Sequence, residues 1–397
     1  MKLIFILVAT VIVLLSGCGT SDGDEIAEST ASEIPVNTEF GRMLGFVPYS
    51  FLEEHDIWFN NPGKAKQLHG FEDITSWEAV VNIPDEERQS WADAIRELNI
   101  SSVTGLKSTS EWIQVFGFDS MMASRSVFVE MPPPGVFSIM EGDFDEDLII
   151  GKLQELGYEE TKHGSYTYHK IFGDYNLNLD SKVTRIAMAS MNRVAVLDDT
   201  IITAPATDII TGILDAMAGD VNAVIDNAAC RALADSMGEV LAAGIITPDR
   251  VLDRFPGSTN MPPFNFSIPE DWGLLHQYDM VGMGYKDDGE ERFWVISLYY
   301  SDTEAASADA GELVKRMEGY AFSRSMGEFG GIEQKIARPL TDWVEVGEPA
   351  VWQYPSGSTL TVECRYHETG AGSWLFIVTL TRDLLFLVPD PSLFVEE

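Results

Sequence analysis

Cys18 closes a short apolar run. Met1-Lys2 precedes Leu3–Leu15, the small residues Ser16 and Gly17 follow, and the cysteine comes next. A thiol is the one side chain in that region able to carry a thioether-linked group. The other cysteines, Cys230 and Cys364, stand apart, with no Cys-x-x-Cys and no Cys/His cluster to support zinc or thioredoxin-like chemistry. An oxidising compartment permits a bridge between them, and both also suit buried free thiols. The second group able to do chemistry is acidic. Asp143, Asp145 and Asp147 alternate along the chain, and their carboxylates offer ligands to calcium, a hard cation that takes about 6–8 oxygens. A calcium loop needs glycine after the third acid, where Leu148 stands. Capping of the helix that follows explains the same residues more simply.

The usual signposts of catalysis are missing. The chain has no Gly-x-Ser-x-Gly, Ser-x-x-Lys, His-Glu-x-x-His or Gly-x-x-x-x-Gly-Lys. Its six histidines, at 55, 69, 163, 169, 276 and 367, are scattered, and solvated or hydrogen-bonded roles suit them. A carboxylate pair for glycoside hydrolysis can be nominated anywhere among 63 acidic residues, so that signal is empty. No cofactor is implied.

A positive start, a short apolar stretch and a small-residue cleavage site read as a secretory signal over residues 1–17. Leu3–Leu15 falls short of the about 20 residues a helix needs to cross a bilayer. Leu15-Ser16-Gly17-Cys18 resembles the bacterial lipoprotein box. That resemblance implies a diacylglyceryl group on the Cys18 sulfur and a mature protein beginning at that residue. It places the chain on a membrane, facing the extracellular or periplasmic side. Two acyl chains on one cysteine meet the need for two anchoring signals, at about 0.8 kcal/mol per buried methylene. Gly19, not aspartate, comes next, so the usual inner-membrane retention signal of Gram-negative cells is absent.

The formal net charge is −37. It repels phosphate backbones and excludes nucleic acid as a partner. It also disfavours close contact with anionic lipid heads, which suits a body held off the bilayer by a tether. With 45% hydrophobic and 11% aromatic residues, the 397-residue chain can fill the cores of two or three domains.

Residues 18–38 read as the lipidated cysteine and a flexible acidic tether, rich in Asp, Glu, Ser and Thr. A first domain spans 39–250. Within it, Pro84-Asp85-Glu86-Glu87 opens a helix bearing Trp91, Ile95 and Leu98, and Ser110-Glu111-Trp112 begins another. Val136–Met140 reads as a strand before a helix over Leu148–Leu156 that stops at Gly157. Tyr158, Tyr166 and Tyr168 alternate around a turn at Gly164, and Asp198-Asp199 joins two strands in a tight hairpin. A helix from Pro205 ends at Gly219, and another covers Ala228–Ala243. Residues 251–269 form a proline-rich linker. The second domain, 270–390, holds a hairpin around Asp287–Glu290 and a helix through Ala306–Met317. Strands near Ala350–Tyr354, Thr359–Tyr366 and Trp374–Thr381 follow, with an edge at Leu384–Val388.

This order predicts an α+β chain: two domains of antiparallel sheet, each with helices packed on one face. Glu141-Gly142-Asp143-Phe144-Asp145 and Leu156-Gly157-Tyr158 resemble the ferredoxin-like modules of uncharacterised bacterial surface lipoproteins. The resemblance implies a fold and no activity. The function expected is a lipid-anchored, non-catalytic binding or envelope-scaffold module for a protein, glycan or small-molecule ligand. A solute-binding lipoprotein of an uptake system and an acidic hydrolase are the alternatives. Of the nine tryptophans, Trp272 and Trp352, beside Pro269 and Pro355, are the candidates for exposed platforms, whereas Trp91 and Trp294 read as core.

Overall fold

The computed structural model describes residues 28–30, 38–95, 98, 110–131, 135–251, 271–329, 332–367 and 384–390. Cys18, the signal segment and the strand expected at Trp374–Thr381 lie outside them.

The chain begins with a short strand, β1 (Glu28–Thr30), inside the stretch expected as free tether. Thr38 then accepts a bond from the Gly41 amide and caps α1 (Glu39–Leu44), and α2 (Ser50–Glu54) follows. Next comes β2 (Ile57–Asn60), which leads into α3 (Pro62–Leu68), with Asn61 as cap and Pro62 in its first turn. Helices α4 (Trp77–Val81), α5 (Arg88–Ile95) and α6 (Ser110–Phe116) precede the strands β3 (Ala123–Glu130) and β4 (Val136–Gly142).

Helix α7 (Glu146–Glu155) stops before Gly157, whose φ of +86° turns the chain into β5 (Glu159–His163) and β6 (Tyr166–Lys170). A short helix, α8 (Lys182–Ala187), leads to the hairpin β7 (Arg193–Leu197) and β8 (Thr200–Ala204). Then α9 (Thr207–Ala218) ends at Gly219 in the left-handed conformation. The helix expected over Ala228–Ala243 is shorter: α10 (Ala228–Met237) breaks at Gly238, and β9 (Ala242–Ile246) follows. The second half runs β10 (Met280–Asp287), β11 (Arg292–Tyr300), α11 (Ala305–Gly319), β12 (Ala321–Phe329), β13 (Ile332–Pro339), β14 (Val344–Tyr354) and β15 (Gly357–Tyr366). Leu385–Leu387 form a 3-10 turn where an edge strand was expected.

The α+β class is observed. Among the described residues thirteen strands join in one sheet, ordered β1-β14-β15-β11-β10-β9-β2-β3-β4-β8-β7-β6-β5, and β12 and β13 pair separately. All the pairings are antiparallel except β1 with β14. Strand β9 stands between β2 and β10, so the sheet runs unbroken past residues 251–269 from one half of the chain to the other.

Small residues make this junction possible. A Cβ on Gly244 would lie 2.1 Å from the Trp58 ring, and Gly282 and Gly284 leave room for Met237 and Val240. An alanine- and glycine-rich strand therefore sits where bulky side chains from neighbouring elements cross it.

Helices cover both faces of the sheet, a correction to the one-face arrangement. Side chains alternate along the strands: Ile57 and Phe59 enter one core with α1, α9 and α10, while Trp58 enters another with α3, α5 and α11. Met140, Val194 and Ile201 meet α6, α7 and α8 in a third. Strands β7 and β8 are buried almost throughout, so each has two apolar faces to cover. Cys230 belongs to the α10 core and Cys364 to the α11 core, and both are free. Burial pushes both thiols up to about 12.

Candidate functional site

Near the β5 edge, sheet register builds a charged row. Glu159 pairs with Lys170 across β5 and β6, and Lys170 pairs with Arg193 across β6 and β7. Directly opposed residues share a face, so the three side chains stand side by side beneath the start of α9. They line a cleft of about 370 Å³, with Tyr168, Phe172 and Thr207 completing its walls.

Arg193 is the structural centre of this cleft, only 3% exposed. Its Nη1 donates to the carbonyls of Ile171, Phe172 and Asn192 at 3.1, 3.3 and 2.7 Å. Nε donates to the Thr207 hydroxyl at 2.9 Å, and Nη2 to Asp174 Oδ1 at 2.5 Å. The same carboxylate oxygen accepts from the Thr207 amide and hydroxyl, each at 2.8 Å, and so caps α9 from outside the helix. Burial works against the Asp174 charge, but the Thr207 bonds and Arg193 outweigh it and hold the carboxyl below its usual range.

The segment that carries Asp174 is strained. Phe172 and Tyr175 hold φ values of 60° and 57°, and Met188 has 49°. Non-glycine residues in this region cost of order 1–3 kcal/mol and persist only where surroundings over-determine them. Those surroundings are visible. Besides Arg193, the Asn192 amide donates to the carbonyls of Gly173 and Asn176, and the Tyr175 amide donates to Pro205. Tyr175, Leu177 and Leu179 on this segment and Met188 beyond it remain exposed. The cleft is thus pre-shaped, with a wall held in an unfavourable conformation by a buried cation.

Lys170 differs from Arg193. Among the described residues the carboxylate paired with its ammonium is Glu159, with Oε2 4.0 Å away, beyond hydrogen-bond reach. The cleft can therefore offer an ammonium, a carboxylate and an aromatic ring to a bound molecule. Among its lining residues the one hydroxyl on a short side chain, that of Thr207, already donates to Asp174.

The acids singled out from sequence are not drawn together. Asp145 caps α7 through the Leu148 amide at 2.9 Å, and Asp143, Asp145 and Asp147 are all exposed. Among the described residues no group of three or more His, Cys, Asp or Glu side chains is placed to hold a metal. At the hairpin around Asp287–Glu290, Asp288 accepts from the Glu290 and Glu291 amides, while Asp287 is buried and accepts from the Tyr285 hydroxyl. Trp91 and Trp294 are core. Trp272 is half-buried, 5.4 Å from the Arg316 guanidinium, and Trp352 is half-buried too.

Sequence reasoning missed the cleft and three histidine–carboxylate pairs. His69 meets Asp287 at 3.1 Å, His163 meets Asp215 at 2.6 Å, and His276 meets Asp309 at 2.6 Å. The partners in each pair are far apart along the chain, so no local spacing announces them.

No helix among the described residues is long and apolar enough to cross a membrane. No family model and no curated protein matches the chain. Among solved structures, it is similar to crystal form I of TP0453 at 10% identity and a TM-score of 0.34, over 75% of this chain and 91% of that one. Crystal form III of the same protein gives 9% identity and a TM-score of 0.33, over 85% and 97%.

Proposed function

We propose that this chain is a lipid-anchored, extracytoplasmic protein that binds a ligand without transforming it. The anchor rests on Leu15-Ser16-Gly17-Cys18 behind a short apolar run. The binding reading rests on one observation, the cleft whose strained wall is fixed by Arg193 and Asp174. Strain held beside a concave site is the mark of a pre-organised binding surface. The long antiparallel sheet weighs against a solute-binding protein of an uptake system, which needs two domains wound round parallel strands. The net charge of −37 favours a body kept away from anionic membranes and nucleic acid.

Fractionation of cells tests the anchor. Wild-type chain should follow the membranes, and Cys18→Ala should be released or left unprocessed. A Cys18→Ala protein that loses its signal and still sediments with membranes overturns the anchor.

A further inference from the structure

The cleft also indicates what kind of molecule it holds. Lys170 and Arg193 are directly opposed on one face of an antiparallel pair, where like charges repel. Asp174 answers the charge of Arg193 at 2.5 Å. Among the described residues the ion-pair partner of Lys170 is Glu159, which is 78% exposed and, at 4.0 Å, too distant to accept a hydrogen bond. A ligand oxyanion placed on Lys170 would relieve the repulsion and use donors the protein leaves idle.

The rest of the lining describes the body of that ligand. A volume of about 370 Å³ is more than a bare inorganic anion fills, and it falls in the range of small-molecule sites. Phe172 provides an apolar ring and Tyr168 a buried aromatic floor. Glu159 supplies an acceptor for hydroxyl groups, which argues against a wholly apolar acid. Acidic saccharides combine an anionic group, a comparatively apolar ring face and hydroxyls. We propose that the cleft binds a small acidic saccharide, its carboxylate on Lys170 and its ring against Phe172, an inference that rests on the binding reading above.

Calorimetric titration of the full chain in nonionic detergent tests this, with sodium glucuronate, glucose and inorganic phosphate as probes. Glucuronate should bind saturably, and glucose and phosphate each roughly tenfold more weakly, as expected for loss of one charge-assisted bond or of the ring contact. Lys170→Met should weaken glucuronate roughly tenfold, while Lys182→Met on α8 leaves it unchanged. Phosphate binding as well as glucuronate would overturn the saccharide, and glucose binding as well would overturn the carboxylate contact. No glucuronate binding by folded wild type, or undiminished binding by Lys170→Met, overturns the whole proposal. Should Lys170→Met not fold, saturation-transfer NMR on wild type decides. Ring protons of glucuronate must receive saturation from aromatic side chains, and its absence refutes the contact. Phosphate binding on a par with glucuronate overturns the saccharide and leaves the binding reading standing, so the two readings fail separately.

Discussion

At the scale of single residues, buried charge organises this molecule more than any surface cluster does. Arg193 spends its donors on three carbonyls, one hydroxyl and one carboxylate. Arg193→Met would keep the volume and leave those acceptors without their donor, so it should cost about 3 kcal/mol in urea unfolding. The strained segment around Phe172 should also gain hydrogen exchange, because the strain outlives its restraint. An unchanged unfolding midpoint would show that Arg193 does not hold the cleft. His276 sets a pH dependence of opposite hand to that of an acid. Its hydrogen bond to Asp309, aided by that carboxylate's charge, raises the imidazole above its ordinary value. A raised folded-state pKa means stability that is fully present below the unfolded value near 6.5 and is lost as pH climbs through the folded one. The difference in melting temperature between wild type and His276→Gln should thus be constant on the acid side of about pH 6 and shrink above it. A difference that grows with pH would exclude this pairing.

At the scale of elements, β9 is the strand on which the two halves depend, and its sequence is the least strand-like. Gly244 lies under the Trp58 ring, so Gly244→Ala forces a shift in a packed core and should cost about 2–3 kcal/mol. The same change in a Trp58→Ala background should cost far less, since the clash is then gone, and a double-mutant cycle reads the coupling. Additive costs would mean that the strand tolerates a Cβ by another route. This junction also explains what was legible beforehand. The hairpins at Gly164 and Asp198-Asp199 and the helix stops at Gly157 and Gly219 were readable because local backbone chemistry determines them. The α+β class followed from their order. Ala242-Ala243 read as the end of a helix because alanine favours one, and the crossing Trp58 side chain explains the glycine that follows at 244. Trp58 and Phe59 are adjacent in the chain, yet strand alternation sends them into different cores. The cleft was illegible for a related reason. Glu159, Lys170, Arg193 and Asp174 meet through register and one long-range salt bridge, which no short motif encodes.

At the scale of the whole molecule, the question is whether the chain behaves as two bodies or one. The break expected at residues 251–269 treats the halves as separate domains, each closing its own core. The sheet is built otherwise. β9 belongs to the first half in sequence, yet it pairs with β10 of the second along Val281–Tyr285. Helix α10 packs its Leu233 and Met237 over Gly282, across the same boundary. Separating the halves would uncover the inner edge of β9 and the apolar side of α10, both buried. Exposed apolar area costs roughly 25 cal/mol per Å², and each unpaired buried backbone group adds to it. Covalent continuity through 251–269 is then unnecessary for association once the protein has folded. The test is a specific protease site introduced between Val251 and Asp271, cleaved to completion after folding. Both fragments should elute together in gel filtration, and calorimetry should show a single transition before and after the cut. Melting should fall on cleavage and become concentration-dependent, since unfolding now also separates two chains. Fragments that part under native conditions, each with its own cooperative transition, would establish two domains and leave the β9–β10 pairing a weak contact.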